Sequence, residues 1–180
     1  MSDLAALDAY GALIEPATLK IQRLLPGPIE RVWDYLTETE LRRRWLASGD
    51  MPARPGETFE LVWRNDELTD PPGVRPEGFS HEHRMESRVL AMEPPRRLVI
   101  TWGVQSEVEF GLEIHRAEVL LSSIHRRLPD RDALLNVSSG WHAHLDVLVA
   151  DLTGGKAKPH WDNFVQLRAD YDARLPAQDG

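Results

Sequence analysis

Between Ala17 and Leu25 the chain alternates, with Leu19, Ile21, Arg23 and Leu25 on one side and Thr18, Lys20 and Gln22 on the other. A period of two is the mark of a half-buried strand. Pro26-Gly27-Pro28 ends it. The period then changes, because Ile29, Val32, Trp33 and Leu36 recur at three and four residues and predict a helix. Pro28 suits the first turn of that helix, where its missing N–H costs nothing. Thr37 and Thr39 are candidate caps for a second short helix running through Leu41 and Trp45. Residues 3 to 14, rich in Ala and Leu, predict a short N-terminal turn of helix, and Gly49 to Gly56 reads as a loop.

Strand patterns dominate the middle of the chain. Thr58 to Arg64 puts Phe59, Leu61 and Trp63 on one face. His81 to Met92 does the same for Met85, Ser87 and Val89, and Arg97 to Gly103 for Leu98, Ile100 and Trp102. Glu107 to Ile114 sets Val108, Phe110, Leu112 and Ile114 against Glu107, Glu109 and Glu113, a clean inside-outside alternation. Ala117 to Leu128 is the last strand. The Pro- and Gly-containing stretch from Asn65 to Ser80 has no period, and loops of that length are often functional. The longest helix follows Asp130 or Asp132. Its stripe is Leu134, Ser138, Trp141, Leu145, Leu148 and Leu152, and Gly154-Gly155 stops it. A final helix after Lys158-Pro159 lines up Phe164, Leu167, Tyr171 and Leu175.

Strands joined by short turns favour an antiparallel meander, and a sheet with one apolar face needs a cover. The expected fold is therefore α+β, a curved antiparallel sheet of six or seven strands around the long helix. One domain is expected over residues 1–180, with a core at about 17–152 and a helical extension at 158–175.

Composition narrows the function classes. The chain of 180 residues is 42% hydrophobic and 28% charged, the balance of an ordinary globular protein. Its formal charge of −8 and the absence of a compact basic stripe argue against a nucleic-acid partner. Arg42-Arg43-Arg44 reads as a solvated helix face. With no Cys there is no disulfide, thiolate metal site or cysteine nucleophile. No run has the length and apolarity of a membrane span, and the acidic start lacks the features of a signal peptide, so a cytoplasmic location is expected.

Four stretches also carry a resemblance. Pro28-Ile-Glu-Arg-Val-Trp-Asp-Tyr-Leu-Thr-Glu with Glu40-Leu-Arg-Arg-Arg-Trp45 resembles the opening helices of the domain named for the activator of the heat-shock-protein-90 ATPase. Glu93 to Trp102 is similar to its signature strand. Ile124-His125-Arg-Arg-Leu and the run from Gly140-Trp141 to Leu148 resemble its last strand and closing helix. The match runs in order from about residue 17 to 152. The resemblance implies the helix-grip, or START-like, fold, in which a cavity for an apolar ligand often lies between sheet and helix. It does not imply chaperone activation.

The six Trp are the first candidates for such a cavity, since indoles line pockets as well as cores. Trp63 and Trp102 are favoured over Trp45 and Trp141, because their faces point where the sheet should curve over the helix. Phe59, Met85 and Phe110 share the inward strand faces, and Leu145 follows Trp141 on the helix. On the last strand, Ser123 and His125 are the polar candidates, with His125 the weak candidate for a general base. His142 and His144, two residues apart on a helix, diverge by about 200° and cannot share a metal. His81 and His83 share a strand face but have no third ligand at useful spacing, so no metal is expected. Glu107, Glu109 and Glu113 read as solvated surface. No nucleophile elbow, phosphate loop or dinucleotide fingerprint is present, and no cofactor is expected; Gly154-Gly155-Lys156 lacks the rest of a phosphate loop.

Three functions remain open at this level. The leading one is a binding domain for a small hydrophobic or aromatic molecule. The others are an enzyme using His125, of the cyclase, aromatase or hydrolase type that the resemblance to START-like proteins implies, and a protein-interaction or chaperone-regulating domain. A homodimer through the Phe164 stripe belongs to the last.

Overall fold

A computed structural model describes residues 7–177. The alternating segments form seven strands: β1 (Ala12–Glu15), β2 (Thr18–Pro26), β3 (Thr58–Trp63), β4 (His83–Glu93), β5 (Arg97–Trp102), β6 (Ser106–His115) and β7 (Glu118–Arg126). They build one curved antiparallel sheet in the order β1-β2-β7-β6-β5-β4-β3. Two short helices, α1 (Ile29–Thr37) and α2 (Thr39–Arg42), follow β2, and two longer ones, α3 (Arg131–Thr153) and α4 (His160–Arg174), close the chain. This is the α+β sheet-and-helix architecture expected from the pattern of the sequence, in the helix-grip form that the resemblance implies. Among the described residues no helix is long and apolar enough to cross a membrane.

The sheet holds its inner face against α3. Leu19, Ile21 and Leu25 of β2, Val108, Phe110 and Leu112 of β6, and Leu121 of β7 join one core with Leu134, Leu145 and Leu148 of α3. Each such side chain removed from water stabilises the fold by about 1.5–3 kcal/mol. The outer face is charged, and Glu109 on β6 accepts from Arg97 on β5 at 2.7 Å and pairs with Arg126 on β7 at 2.9 Å. Glu107 pairs with Arg127 at 2.7 Å. These carboxylates are on the outer face, as the alternation requires, but they form a cross-strand ion ladder rather than standing free.

Both ends of α3 are fixed by local chemistry. Asp130 accepts from the Ala133 N–H at 2.8 Å, satisfying one of the unpaired donors of the first turn. Gly154 ends the helix in the left-handed conformation at φ 74°, where a side chain would be strained.

Several expectations are corrected. Ala12–Glu15 is an edge strand paired with β2, not part of a helix; residues 3–6 of that reading lie outside the described residues. Neither Thr37 nor Thr39 caps α2. Thr37 Oγ1 donates back to the Trp33 carbonyl, Thr39 Oγ1 accepts from the Gly49 N–H, and Glu38 sits at the cap position. Ile114 is 56% exposed, and β6 there has run past the end of its ladder with β5, which stops at the pair Arg97 and Gly111.

The basic run also divides. Arg43 and Arg44 are exposed, but Arg42 is 1% exposed and is no part of a solvated face. Its guanidinium donates to the carbonyls of Leu36, Thr37, Ala47 and Gly49 and so ties the end of α1 to the loop beyond α2. The α4 stripe of Phe164, Leu167, Tyr171 and Leu175 is buried, and α4 packs along α3. That stripe is used inside the chain and is not exposed as a dimer surface.

Candidate ligand cavity

The sheet leaves a gap where strand pairing stops. β4 pairs with β3 from His83 to Arg88 and with β5 from Val89 to Glu93, and the register shifts at Val89/Ala91. β5 therefore runs on to Trp102 without a ladder to the first half of β4. Only side-chain bonds cross there, from Ser87 Oγ to the Thr101 carbonyl at 2.7 Å and from the Arg88 N–H to Thr101 Oγ1 at 2.8 Å. The side chains on either side of this parting, Trp63, His83, Met85 and Trp102, form one wall of a cavity of about 400 Å³. That volume lies within the range of small-molecule sites.

The opposite wall comes from the helices. Asn136, Gly140 and His144 are four residues apart on α3, and Val137 and Trp141 lie beside them on the same face. His160, Trp161 and Phe164 at the start of α4 add a second surface, and Leu46 and Asn65 complete the lining with Gly78, Phe79 and Ser80. Residues 78–80 and His83 are exposed, which places the mouth at the end of the long loop.

That loop is held in place. The Trp161 N–H donates to the Pro72 carbonyl at 2.9 Å, the His160 N–H to Thr69 Oγ1 at 2.8 Å, and the Trp161 indole to Asp66 at 2.6 Å. The Val74 N–H reaches Asp162 at 2.9 Å. Phe79 then lays its ring edge-on to Phe164 at 5.3 Å and against Trp161 at 5.4 Å. The first half of the loop builds the α4 wall, and Phe79 covers the rim.

Indoles dominate the floor. Trp102 lies 5.3 Å from Trp63 and 5.1 Å from Trp141, and Trp141 meets Phe110 edge-on at 5.5 Å. Trp141 is fixed from behind, since its indole N–H donates to His125 Nδ1 at 3.0 Å. Burial pushes His125 down to about 4, so the ring is neutral at physiological pH. A neutral ring that accepts at Nδ1 carries its proton on Nε2, and Nε2 has no partner among the described residues.

Of the residues expected from the sequence, Trp63, Met85, Trp102 and Trp141 line the cavity. Trp45, Phe59, Phe110, Ser123, His125 and Leu145 do not; they are buried behind it. Trp45 is held by its indole N–H to the Tyr35 carbonyl at 2.9 Å. His125 is sealed in by packing and does not reach the cavity, so it has no path to a ligand as a general base. The sequence reading missed the α4 residues and the row Asn136, Gly140, His144. The row is not apolar, and a search for a hydrophobic stripe passes over it. The signal was nonetheless present as small and polar residues four apart beside the Trp141 stripe.

The other histidines separate as well. His142 is buried away from the cavity, with Nδ1 2.8 Å from the Tyr171 hydroxyl. His144 Nδ1 is 2.8 Å from the Trp45 carbonyl, and its ring centroid is 4.8 Å from that of His160. Burial pushes His144 down to about 4, and burial with its neighbour His144 pushes His160 to about 2. His81 and His83 are exposed, and the described residues contain no group of three or more potential metal ligands.

Comparison with known proteins agrees with the fold. The profile of the family described as activator of Hsp90 ATPase homolog 1-like protein matches residues 26–153. The solution structure of a Bordetella parapertussis protein is 41% identical, with a TM-score of 0.79 over 94% of this chain and 92% of that one. Crystalline CalU16 from Micromonospora echinospora is 24% identical, with a TM-score of 0.64 over 87% of this chain and 86% of that one. A conserved Enterococcus faecalis protein of unknown function is 18% identical, with a TM-score of 0.65 over 91% and 88%. The last two share the fold. No curated protein matches the chain.

Proposed function

The chain belongs to the activator of Hsp90 ATPase homolog 1-like family, and on that premise we propose that it binds a small apolar or aromatic molecule between the sheet and α3. The observation that carries this reading is the unfilled cavity of about 400 Å³ walled by Trp63, Trp102, Trp141, Trp161, Phe164 and Met85. Its lining is mostly apolar and its mouth opens to solvent, so an apolar ligand that enters is removed from water.

Gly140 supports the same reading. It sits in the middle of a helix of 23 residues, where Gly costs about 0.5–1 kcal/mol relative to Ala. A side chain there would meet no atom within 4 Å. No close backbone approach demands a glycine, and what its absent side chain leaves is room in the cavity. His125, the weak catalytic candidate of the sequence, is sealed away from the ligand space and lends the enzyme reading no support.

Native mass spectrometry of the purified protein tests the reading, with thermal unfolding in 2-naphthol beside it. We expect a retained small molecule or a rise in melting temperature with 2-naphthol, and neither in Gly140→Leu. A bare chain mass together with an unchanged melting temperature in the unsubstituted protein would overturn it.

A further inference from the structure

One side of the cavity is polar. His144 from α3, His160 from the start of α4 and Asn65 from the loop line it together. The short 3₁₀ turn Asn65–Glu67 is joined to α4 by the Trp161–Asp66 bond, which brings Asn65 to this side.

The hydrogen-bond state of His144 follows from its neighbour. A carbonyl can only accept, so the contact with the Trp45 carbonyl fixes the proton of the neutral ring on Nδ1. Nε2 is then a bare acceptor. His160 is 1% exposed, and neither of its ring nitrogens has a partner among the described residues. A neutral imidazole carries one donor and one acceptor, so this ring supplies an N–H as well as a lone pair. Asn65 Oδ1 is a further buried acceptor without a partner. A buried polar group left unpaired costs about 1–3 kcal/mol, so this wall, with both His160 nitrogens and Asn65 Oδ1 unpaired, favours a ligand that can pair one of them.

We propose that the His144–His160 pair receives a ligand hydroxyl, which makes the ligand a neutral hydroxylated aromatic, such as a phenol or aryl alcohol, rather than a pure hydrocarbon. The hydroxyl donates to His144 Nε2 and accepts from the His160 N–H. A hydroxyl is the smallest group with one donor and two acceptor sites, and it meets both requirements at once. The aromatic body lies against Trp63, Trp102 and Trp141. An amine that is charged at neutral pH would have to give up its hydration without a counter-ion, since both imidazoles are neutral and no carboxylate lines the cavity. A carboxylate ligand is disfavoured on the same ground.

The inference rests on the cavity being the binding site, and the test separates the two. Three probes of one shape are titrated into ¹⁵N-labelled protein: naphthalene, 2-methoxynaphthalene, which accepts but cannot donate, and 2-naphthol, which does both. We expect 2-naphthol to bind about tenfold tighter than 2-methoxynaphthalene, the worth of one hydrogen bond. In His144→Phe that advantage disappears while naphthalene still binds, and in His160→Phe both oxygen-bearing probes weaken relative to naphthalene while the difference between them remains. Should either variant fail to fold, the imidazole ¹⁵N resonances of the unsubstituted protein decide. His144 Nε2 is expected to start as an unprotonated acceptor and to move upfield with 2-naphthol but not with 2-methoxynaphthalene. Equal affinities for the three probes, or a His144 protonated on Nε2, would overturn the hydroxyl subsite and leave the cavity reading standing. Failure of all three probes to bind would overturn both.

Discussion

His125, His144 and His160 are all buried and neutral in the folded chain, with burial holding His125 and His144 near 4 and His160 near 2. In the unfolded chain each titrates at about 6.5. Between these values the unfolded state binds protons that the folded state does not, so the stability is present above about pH 6.5 and is lost as the pH falls toward 4. At pH 5 unfolding should take up at least about two protons per chain, read as the slope of unfolding free energy against pH. A flat profile from pH 7 to 4.5 would contradict these assignments. His125 is also a positioning residue. His125→Ala should cost about 2–4 kcal/mol in chemical denaturation, since it opens a void and leaves the Trp141 N–H unpaired. Arg42→Met should cost about 3 kcal/mol or more, because four carbonyls lose their donor. Burial lowers Arg42 to about 10, so it remains charged at neutral pH. The burial of Arg42 was not legible in the sequence, since three adjacent arginines look alike until the chain folds back on one of them. Trp63 and Trp102 were legible, because strand alternation alone sets which way a side chain faces.

Among the elements, those with a strong internal period were legible and those held by distant partners were not. β6 and α3 announce themselves by alternation and by a stripe between an Asp cap and a Gly stop. β1 has only four residues, and its reason for being extended is the ladder to β2. The final helix could be recognised but not its placement, since its stripe packs along α3 while His160 and Trp161 at its start build the cavity wall. α3 itself serves two surfaces. Its apolar stripe holds the sheet, and the neighbouring row of Asn136, Gly140 and His144 faces the cavity. Gly140→Ala should therefore raise stability by about 0.5–1 kcal/mol, measured by chemical denaturation. Gly140→Leu should leave the fold intact and reduce the space for a ligand. If Gly140→Ala is strongly destabilising, the space beside it is not free.

At the scale of the whole molecule, the architecture followed from counting faces: one apolar sheet face and one helix long enough to cover it. The cavity could not be placed in the same way. It depends on where β4 stops pairing with β5, on the loop pinned to the start of α4, and on a glycine, and only the folded chain brings these together. Occupancy should couple to stability, since a ligand at a hundred times its dissociation constant adds about 2.7 kcal/mol. The central claim is that this space is a binding site, and the six indole N–H resonances test it directly. In a titration with 2-naphthol, the indoles of Trp63, Trp102, Trp141 and Trp161 should shift while those of Trp33 and Trp45 stay still, and the response should vanish in Gly140→Leu. Six unmoved resonances, or an undiminished response in Gly140→Leu, would contradict the account.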